Sequence, residues 1–514
     1  MIEKNFDFRN LFVLDLANNH QGNVQHALNI IKAMGKVVNK HGIRGVFKFQ
    51  FRQLDTFIHP KHKTGSQNKH IPRFLSTRLD QSNFKILLDA VRGEGMLSMC
   101  TPFDESSIDI ISAMNFDLIK VASCSAKDWP LLEKIATANK PVIFSTGGLQ
   151  ISNIDDLVSF FEHRGADFAI MHCVSIYPTP AADCNLNQID VLQKRYPRRV
   201  IGWSTHENPD EMLPVQIAVA KGAQIFERHV GMNTDKIKLN AYSSTPEQID
   251  YWIEAYKKAI ILCGSSKRNL NLLELESLDS LKRGIFAHRH IKKGEIISSN
   301  DIYFAMPYVS GQVDSGAWRE GITATADIAM DDPLMPADVL IPLNSDAQII
   351  KAAVHEVKAL LNEARITLNS DFEVEYSHHY GISRFREYGA VLISCINREY
   401  CKKILVQLPG QKHPAHFHKL KEETFQVLYG ELNVSVDGKQ RTLTAGDIHL
   451  VMPGVWHSFW TETGCVFEEV STTHHNEDSV YRDSSINALK RHERKTKVDH
   501  WGRFQLPEKL TSQK

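Results

Sequence analysis

Residues 11–50 read LFVLDLANNHQGNVQHALNIIKAMGKVVNKHGIRGVFKFQ, and the two periodicities inside them decide the fold class. Residues 11–16 are almost wholly apolar, 24–38 carry apolar side chains at helical spacing, and 45–49 (GVFKF) form a second apolar run. Strands that are apolar on both faces belong in parallel sheets covered on both sides, so the stretch reads as strand, helix, strand. Working outward, further runs of this kind lie at 96–100, 118–122, 142–145, 168–173, 200–204 and 225–230. Helical spacing recurs at 84–92, 153–163, 211–221 and, after the last run, 247–262. Eight strand–helix units in about 265 residues match the usual ~250-residue (β/α)8 TIM barrel. A doubly wound open sheet is the alternative, because periodicity does not show closure.

Each run ends in residues capable of chemistry: Asp15 with Asn18, Asn19 and His20; Lys48 and Gln50; Thr101; Lys120 and Ser123; Ser145 and Thr146; His172 and Ser175; Ser204 and His206; Glu227, Arg228 and His229. Barrel enzymes place their active sites at the C-terminal ends of the strands, so this distribution points to a site there. Lys48 and Lys120 sit inside apolar strands, where an unpaired ammonium is costly, which favours ligand contact over a solvated surface role. Glu227 and His229 are two apart on a strand and so share its inward face.

The rest of the chain bounds the class. At 514 residues several domains are expected, and 42% hydrophobic with 23% charged residues is an ordinary globular composition. Lys+Arg and Asp+Glu both number 60, so no basic excess points to nucleic acid or an anionic membrane surface. No apolar stretch approaches the ~20 residues of a membrane span, and no secretory leader is visible. The eight cysteines form no Cys-x-x-Cys pair, and a reduced, cytoplasmic setting is expected. The domain reading is barrel 1–270, a β-rich unit 281–343, a helical linker 344–372, a small all-β barrel 373–475 and a polar, partly extended tail 476–514.

At the strand ends the sequence resembles the N-acetylneuraminate (sialic acid) synthase family. The stretches that carry the resemblance are ANNHQG (17–22), KFQ (48–50), CTPFDE (100–105), KVAS (120–123), STGG (145–148), HCVSIYPTP (172–180), GWSTHE (202–207), FERH (226–229) and NAYSSTPEQ (240–248). The resemblance implies a synthase condensing phosphoenolpyruvate with an N-acyl amino hexose, with C–O cleavage and phosphate release. It implies Asp15, Lys48, Lys120, Glu227 and His229 as catalytic groups, with Lys48, Lys120, Thr101, Ser123 and Ser145 around the phosphate and carboxylate and Ser204 a further substrate-binding residue. Asn18, Gln50, Ser175 and Tyr177 would line the sugar end. His206 and His229 would hold a divalent ion, Mn²⁺ or Mg²⁺, acting as a Lewis acid on the sugar aldehyde. Three departures bear on the sugar: Leu14-Asp15 replaces the family's Ala-Glu, Ser123-Cys124-Ser125 replaces Ser-x-Glu, and Met306-Pro307 replaces Arg-Pro.

RGIFAHRHIKKGEIISSNDI (283–302) resembles the SAF, or antifreeze-like, domain of those synthases, with Arg283 a sugar-contact candidate. That resemblance implies a domain-swapped homodimer in which this unit covers a partner's barrel. Further on, Gly410-x5-His416-x-His418-x4-Glu423-x6-Gly430 reproduces the first cupin motif, and Gly446-Asp447 with Met452-Pro-Gly-Val-Trp-His457 the second. His416, His418, Glu423 and His457 form a 3-His-1-carboxylate set for Fe, Mn, Ni or Zn, which ligand type does not separate. His413 and the pairs His378-His379 and His474-His475 read as surface or pocket-rim residues. A cupin isomerase, oxygenase or sugar-binding protein with the barrel as scaffold is the competing function.

Overall fold

The computed structural model describes residues 6–266, 268–368 and 373–498. The chain divides into two compact units, Met1–Asn269 and Leu270–Lys514. In the first, the strands β1 (Leu11–Asp15), β2 (Arg44–Phe51), β3 (Leu97–Pro102), β4 (Leu118–Val121), β5 (Val142–Ser145), β6 (Phe168–Cys173), β7 (Ile201–Thr205) and β8 (Ile225–His229) form a closed parallel barrel. β1 pairs with both β2 and β8, which closes the sheet and excludes the doubly wound alternative. The helices following the strands are α1 (Val24–His41), α2 (Gln81–Gly93), α3 (Glu105–Ala113), α4 (Trp129–Thr137), α5 (Ile151–His163), α6 (Asn187–Arg195), α7 (Leu213–Ala220) and α8 (Pro246–Cys263).

Local chemistry sets these helices. Asn23 caps α1 through the His26 N–H, and Gly42 ends it at φ 61°, a left-handed conformation glycine adopts without steric cost. Thr245 and Gln248 form a capping box at α8, with Pro246 in the first turn, so the stretch STPEQ is a helix start.

Alternation along the strands separates two cores. Leu11, Val13, Val46, Met99, Leu118, Ile143, Met171 and Ile225 fill the barrel bore. Phe12, Leu14, Phe47, Phe49, Phe144 and Phe226 face the helices instead. One step further along the inward face the bore becomes polar, at Asp15, Lys48, Lys120 and Glu227. Gly202 lets β7 pass the bore: a Cβ there would meet the Met171 sulfur, the Ile225 Cβ at 2.6 Å and the Ile225 carbonyl oxygen at 2.7 Å. Gly202→Ala is therefore expected to destabilise the barrel by about 1–3 kcal/mol, read from the denaturant midpoint at unchanged slope.

The second unit contains α9 (Leu272–Leu281), short strands β9 (Gly284–Ala287), β10 (Ile296–Ile297), β11 (Ile302–Ala305), β12 (Ile322–Ala324) and β13 (Val339–Leu340), and α10 (Asp346–Glu363). The short strands enclose a small core that includes Ile285, Ile291, Ile297, Ile322 and Leu334. Then follow β14 (Glu373–Ser377), β15 (Ala390–Asn397), β16 (Tyr400–Gln407), β17 (Lys412–His418), β18 (Glu423–Val436), β19 (Lys439–Thr444), β20 (Ile448–Val451), β21 (His457–Trp460) and β22 (Cys465–Thr472). The segment expected as a polar tail is corrected: β23 (Ser479–Tyr481) pairs with β17, and β24 (Lys495–Val498) pairs with β14. Two of its basic residues share the carboxylate of Glu375, Arg491 at 2.6 Å and Lys495 at 2.5 Å, and Lys497 pairs with Glu373 at 3.0 Å. Residues 499–514 of the expected tail lie outside the described residues. Among the described residues no helix is long and apolar enough to cross a membrane.

Candidate functional site

Strand register assembles the barrel mouth. Asp15 lies opposite Lys48 on one side and His229 on the other, and Ser204 lies opposite Glu227. Lys48 Nζ is 3.0 Å from Asp15 Oδ2 and also pairs with Glu227 Oε1. The second oxygen of Glu227 accepts from Lys120 at 2.7 Å, and Lys120 donates to Ser145 Oγ at 2.7 Å. Asp15, Lys48, Lys120 and Glu227 are each at most 4% exposed. Burying four ionisable groups costs several kcal/mol each, and alternating lysines with carboxylates recovers much of it. Burial pushes the Asp15 and Glu227 carboxyls up, but the lysine charges outweigh it and hold both below their ordinary values. Lys48, with two carboxylates against its burial, lies above its ordinary value, whereas burial leaves Lys120 below.

The histidines complete the mouth. The rings of His206 and His229 are 5.3 Å apart, and His229 Nδ1 is 3.5 Å from Asp15 Oδ2. His206 Nδ1 contacts the Val174 carbonyl at 3.1 Å; a carbonyl only accepts, so Nδ1 carries the proton and Nε2 keeps a lone pair. Burial, with the neighbouring His229, draws His206 down to about 3, and burial also lowers His229. Two neutral imidazoles, one with its free nitrogen defined, suit a divalent ion. Among the described residues the mouth holds no three His, Cys, Asp or Glu ligand atoms lying mutually within 4.8 Å; the barrel's one such group, His41, Asp250 and Glu254, sits on the outer helices α1 and α8.

The hydroxyls surround this cluster. Thr101 Oγ1 is buried without a partner, and Ser123 Oγ accepts the Gly147 N–H at 3.0 Å. A Cβ on Gly147 would meet the Ser123 hydroxyl at 2.8 Å as well as that of Ser175, so the glycine lets β5 bring both close. Asn18 accepts from Thr77 at 3.4 Å, and Gln50 donates to Asp15 at 3.3 Å. Tyr177 packs on His206 at 4.1 Å between ring centres. Arg283 lies in the second unit, exposed, its guanidinium 5.7 Å from the Phe304 ring centre.

The reading of the strand ends left Tyr242 and Glu207 without a role and named Arg228 without its partner. Tyr242 stands 5.3 Å from both Tyr177 and His229; its stretch NAYSS was noted as a motif without placing its aromatic ring. Glu207 and Arg228, each next to a mouth histidine in sequence, form a buried pair at 2.8 Å. The His-Glu and Arg-His adjacencies were the available signal, but pairing across β7 and β8 is a tertiary fact.

In the second unit His416, His418, Glu423 and His457 are all buried, with ligand atoms within 4.8 Å of one another. His457 Nε2 and Glu423 Oε1 face each other at 2.8 Å, yet neither has a hydrogen-bond partner. The Nδ1 atoms of His416 and His457 are engaged by the carbonyls of Pro414 and Val455, and that of His418 by Ser479 Oγ at 3.3 Å. Nε2 of His416 and His457 is thus left free to bind a cation, and the orphaned Glu423 and His457 atoms fit the same occupant. Lys421 pairs with Glu423 at 2.5 Å and with buried Glu469 at 2.9 Å. Of the histidines read as surface or pocket-rim residues, the surface placement is corrected for three. His378, His379 and His413 are buried, His379 and His413 with ring centres 4.4 Å apart, because the strand pairing turns them inward. His475 is exposed.

A buried ionisable cluster at the C-terminal strand ends of a closed (β/α)8 barrel stands where barrel enzymes place their chemistry, and an all-β region follows. The NeuB family model matches residues 37–268, and a cupin domain model matches residues 404–468. A solved structure of a putative spore coat polysaccharide biosynthesis protein E from Chromobacterium violaceum is 42% identical, with TM-score 0.62, covering 65% of this chain and 100% of that one. An N-acetylneuraminate-9-phosphate synthase of Drosophila melanogaster is 33% identical over 42% of this chain and 59% of its own length. A pseudaminic acid synthase of Campylobacter jejuni is 26% identical over 65% of this chain and 98% of its own. The chain belongs to the NeuB family, and it carries a cupin domain at its C-terminal end.

Proposed function

We propose that the barrel condenses phosphoenolpyruvate with an N-acyl amino hexose to give a nonulosonic acid and inorganic phosphate. The observation that supports it is the pair of buried lysines sharing Glu227 in the mouth, beside two neutral histidines. A dianionic phosphate joined to a carboxylate needs cations and fixed donors, and Lys48, Lys120, Thr101, Ser123, Ser145 and Ser204 supply them. Asn18, Gln50, Ser175 and Tyr177 line the sugar end. A divalent ion on His206 and His229, Mn²⁺ or Mg²⁺, would supply Lewis-acid polarisation of the acceptor aldehyde. C3 of the enolpyruvate bonds to the aldehyde carbon, water adds at C2, and the C2–O bond breaks to release phosphate. Asp15, fixed by the Ala17 N–H at 2.9 Å, orients Lys48 and His229 during these steps. Residues 281–343 act as a SAF-like cover, with Arg283, over a partner's barrel in a domain-swapped homodimer.

The test is phosphate release from phosphoenolpyruvate over a panel of amino sugars with Mn²⁺. One or more acceptors should drive release, and His206→Ala should lower it at least about 100-fold, the scale of losing one electrostatic stabiliser. Silence across the panel, with His206→Ala indistinguishable from the parent, would sink the reading. The complete ligand set of the cupin favours a second reading, in which the cupin is the catalyst and the barrel its scaffold.

A further inference from the structure

β2 leads to one more polar side chain beyond Gln50, and it is a cation with no ion-pair partner among the described residues. Arg52 is half-buried, its guanidinium 4.2 Å from the ring centre of Phe74 and 3.6 Å from that of Phe103. Nη2 donates to Gln50 Oε1 at 3.1 Å, while Nε is buried with no hydrogen-bond partner among the described residues. Asp15 and Asp104 act on it only through space. Burial lowers its pKa to about 10, which leaves it charged at neutral pH. Neighbouring Arg78, by contrast, is bound by Asp55 at 2.7 Å.

Arg52 lines a cavity of about 240 Å³ together with Asn18, Gln50, Phe74, Thr77, Arg78 and Asp80, whose carboxylate is engaged by the Ser82 hydroxyl and the Asn83 N–H. That is below the roughly 300–1,000 Å³ of pockets for drug-sized ligands, so it suits a compact polar substituent. The cavity adjoins the catalytic cluster, because Gln50 bridges the two, donating to Asp15 and accepting from Arg52. Lys48, Gln50 and Arg52 follow one another at two-residue steps, each about 6.6 Å further from the bore. A sugar whose carbonyl lies at the histidines and lysines would extend its far end toward Arg52. A guanidinium with a buried, unused N–H is a donor fork matched to phosphate or carboxylate oxygens.

We infer that this cavity is a subsite for an anionic oxygen group, phosphate or carboxylate, on the acceptor sugar at the end remote from its carbonyl, and that Arg52 determines that specificity. The inference rests on the synthase reading of the barrel. The experiment compares an N-acetylhexosamine, its 6-phosphate and its 6-carboxylate as acceptors in the full chain with Mn²⁺. At least one anionic acceptor should exceed the neutral one about 30-fold in kcat/KM, the size of one charge-assisted hydrogen bond. Arg52→Met should erase that preference, and Arg52→Lys should keep part of it, since charge remains while the fork is lost. The better anionic arm assigns the group. A purely structural Arg52 would lower all acceptors by one factor, and that outcome overturns the inference, as does a parent enzyme that prefers the neutral sugar. Calorimetric binding of the 6-phosphate and 6-carboxylate sugars without phosphoenolpyruvate separates the two proposals. Arg52-dependent binding of an anionic sugar with no turnover of any acceptor sinks the synthase reading and leaves the subsite standing. Equal binding to parent and Arg52→Met overturns the subsite.

Discussion

Glu227→Gln should cost the barrel about 3–5 kcal/mol and lower phosphate release about 10³-fold, because it leaves buried ammonium groups short of their shared counter-ion. Lys48 keeps Asp15 at 3.0 Å, but Lys120 keeps only the Ser145 hydroxyl. At roughly 2–4 °C per kcal/mol for a domain of this size, the melting temperature should fall by about 6–20 °C. The pH dependence follows from the sign of the shift. The lysines hold the folded Glu227 carboxyl below its ordinary 4.5, so its contribution is fully present above that value and fades as pH falls toward the folded value. The stability gap between parent and Glu227→Gln should thus be widest near neutrality and narrow below about pH 4. Urea titrations at several pH values measure it. A gap under 1 kcal/mol at pH 7, or one that widens on acidification, contradicts the shared-carboxylate account.

Glu423→Gln should abolish metal binding in the cupin while leaving phosphate release within twofold. In the folded protein Glu423 faces His457 at 2.8 Å and His418 at 3.5 Å, with the Glu423 and His457 atoms unsatisfied, so a bound transition metal should stabilise this unit. At 1,000 times the dissociation constant the gain is about 4.1 kcal/mol, and a chelator should remove it. Differential scanning calorimetry with and without metal reads the effect, and inductively coupled plasma analysis reads occupancy. Glu423→Gln should show no metal-dependent shift. If phosphate release instead disappears with the cupin metal, the barrel is a scaffold and the second reading holds.

Much of the barrel was legible because its strands are buried on both faces, which writes them as continuous apolar runs; β5 and β6 have the expected bounds, and the other six differ by at most two residues. α3, α4 and α6 were not read. Each is nine residues long; the start signals of α3 and α4, Asp104 and Asp128 as caps, stand beside stretches noted for other reasons, and Leu186 before α6 makes no side-chain cap. Around the cupin, spacing alone picked out the four residues whose ligand atoms come together, since His416 and His418 alternate on one strand. The inward turn of His379 and His413 and the pairing of β24 with β14 were hidden, because they join segments far apart in sequence.

By itself the amino-acid sequence determined the order and type of elements, and which reactive residues stand at the strand ends, because local periodicity records which faces are buried. Tertiary structure decided the closure of β1 against β8, the placing of Asp15 between Lys48 and His229, and the sharing of Glu227 by two lysines. It also decided that Arg52 would stand beside a cavity with no ion-pair partner among the described residues. Register and closure are relations between distant segments, set by how whole faces pack, and no window of neighbouring residues contains them.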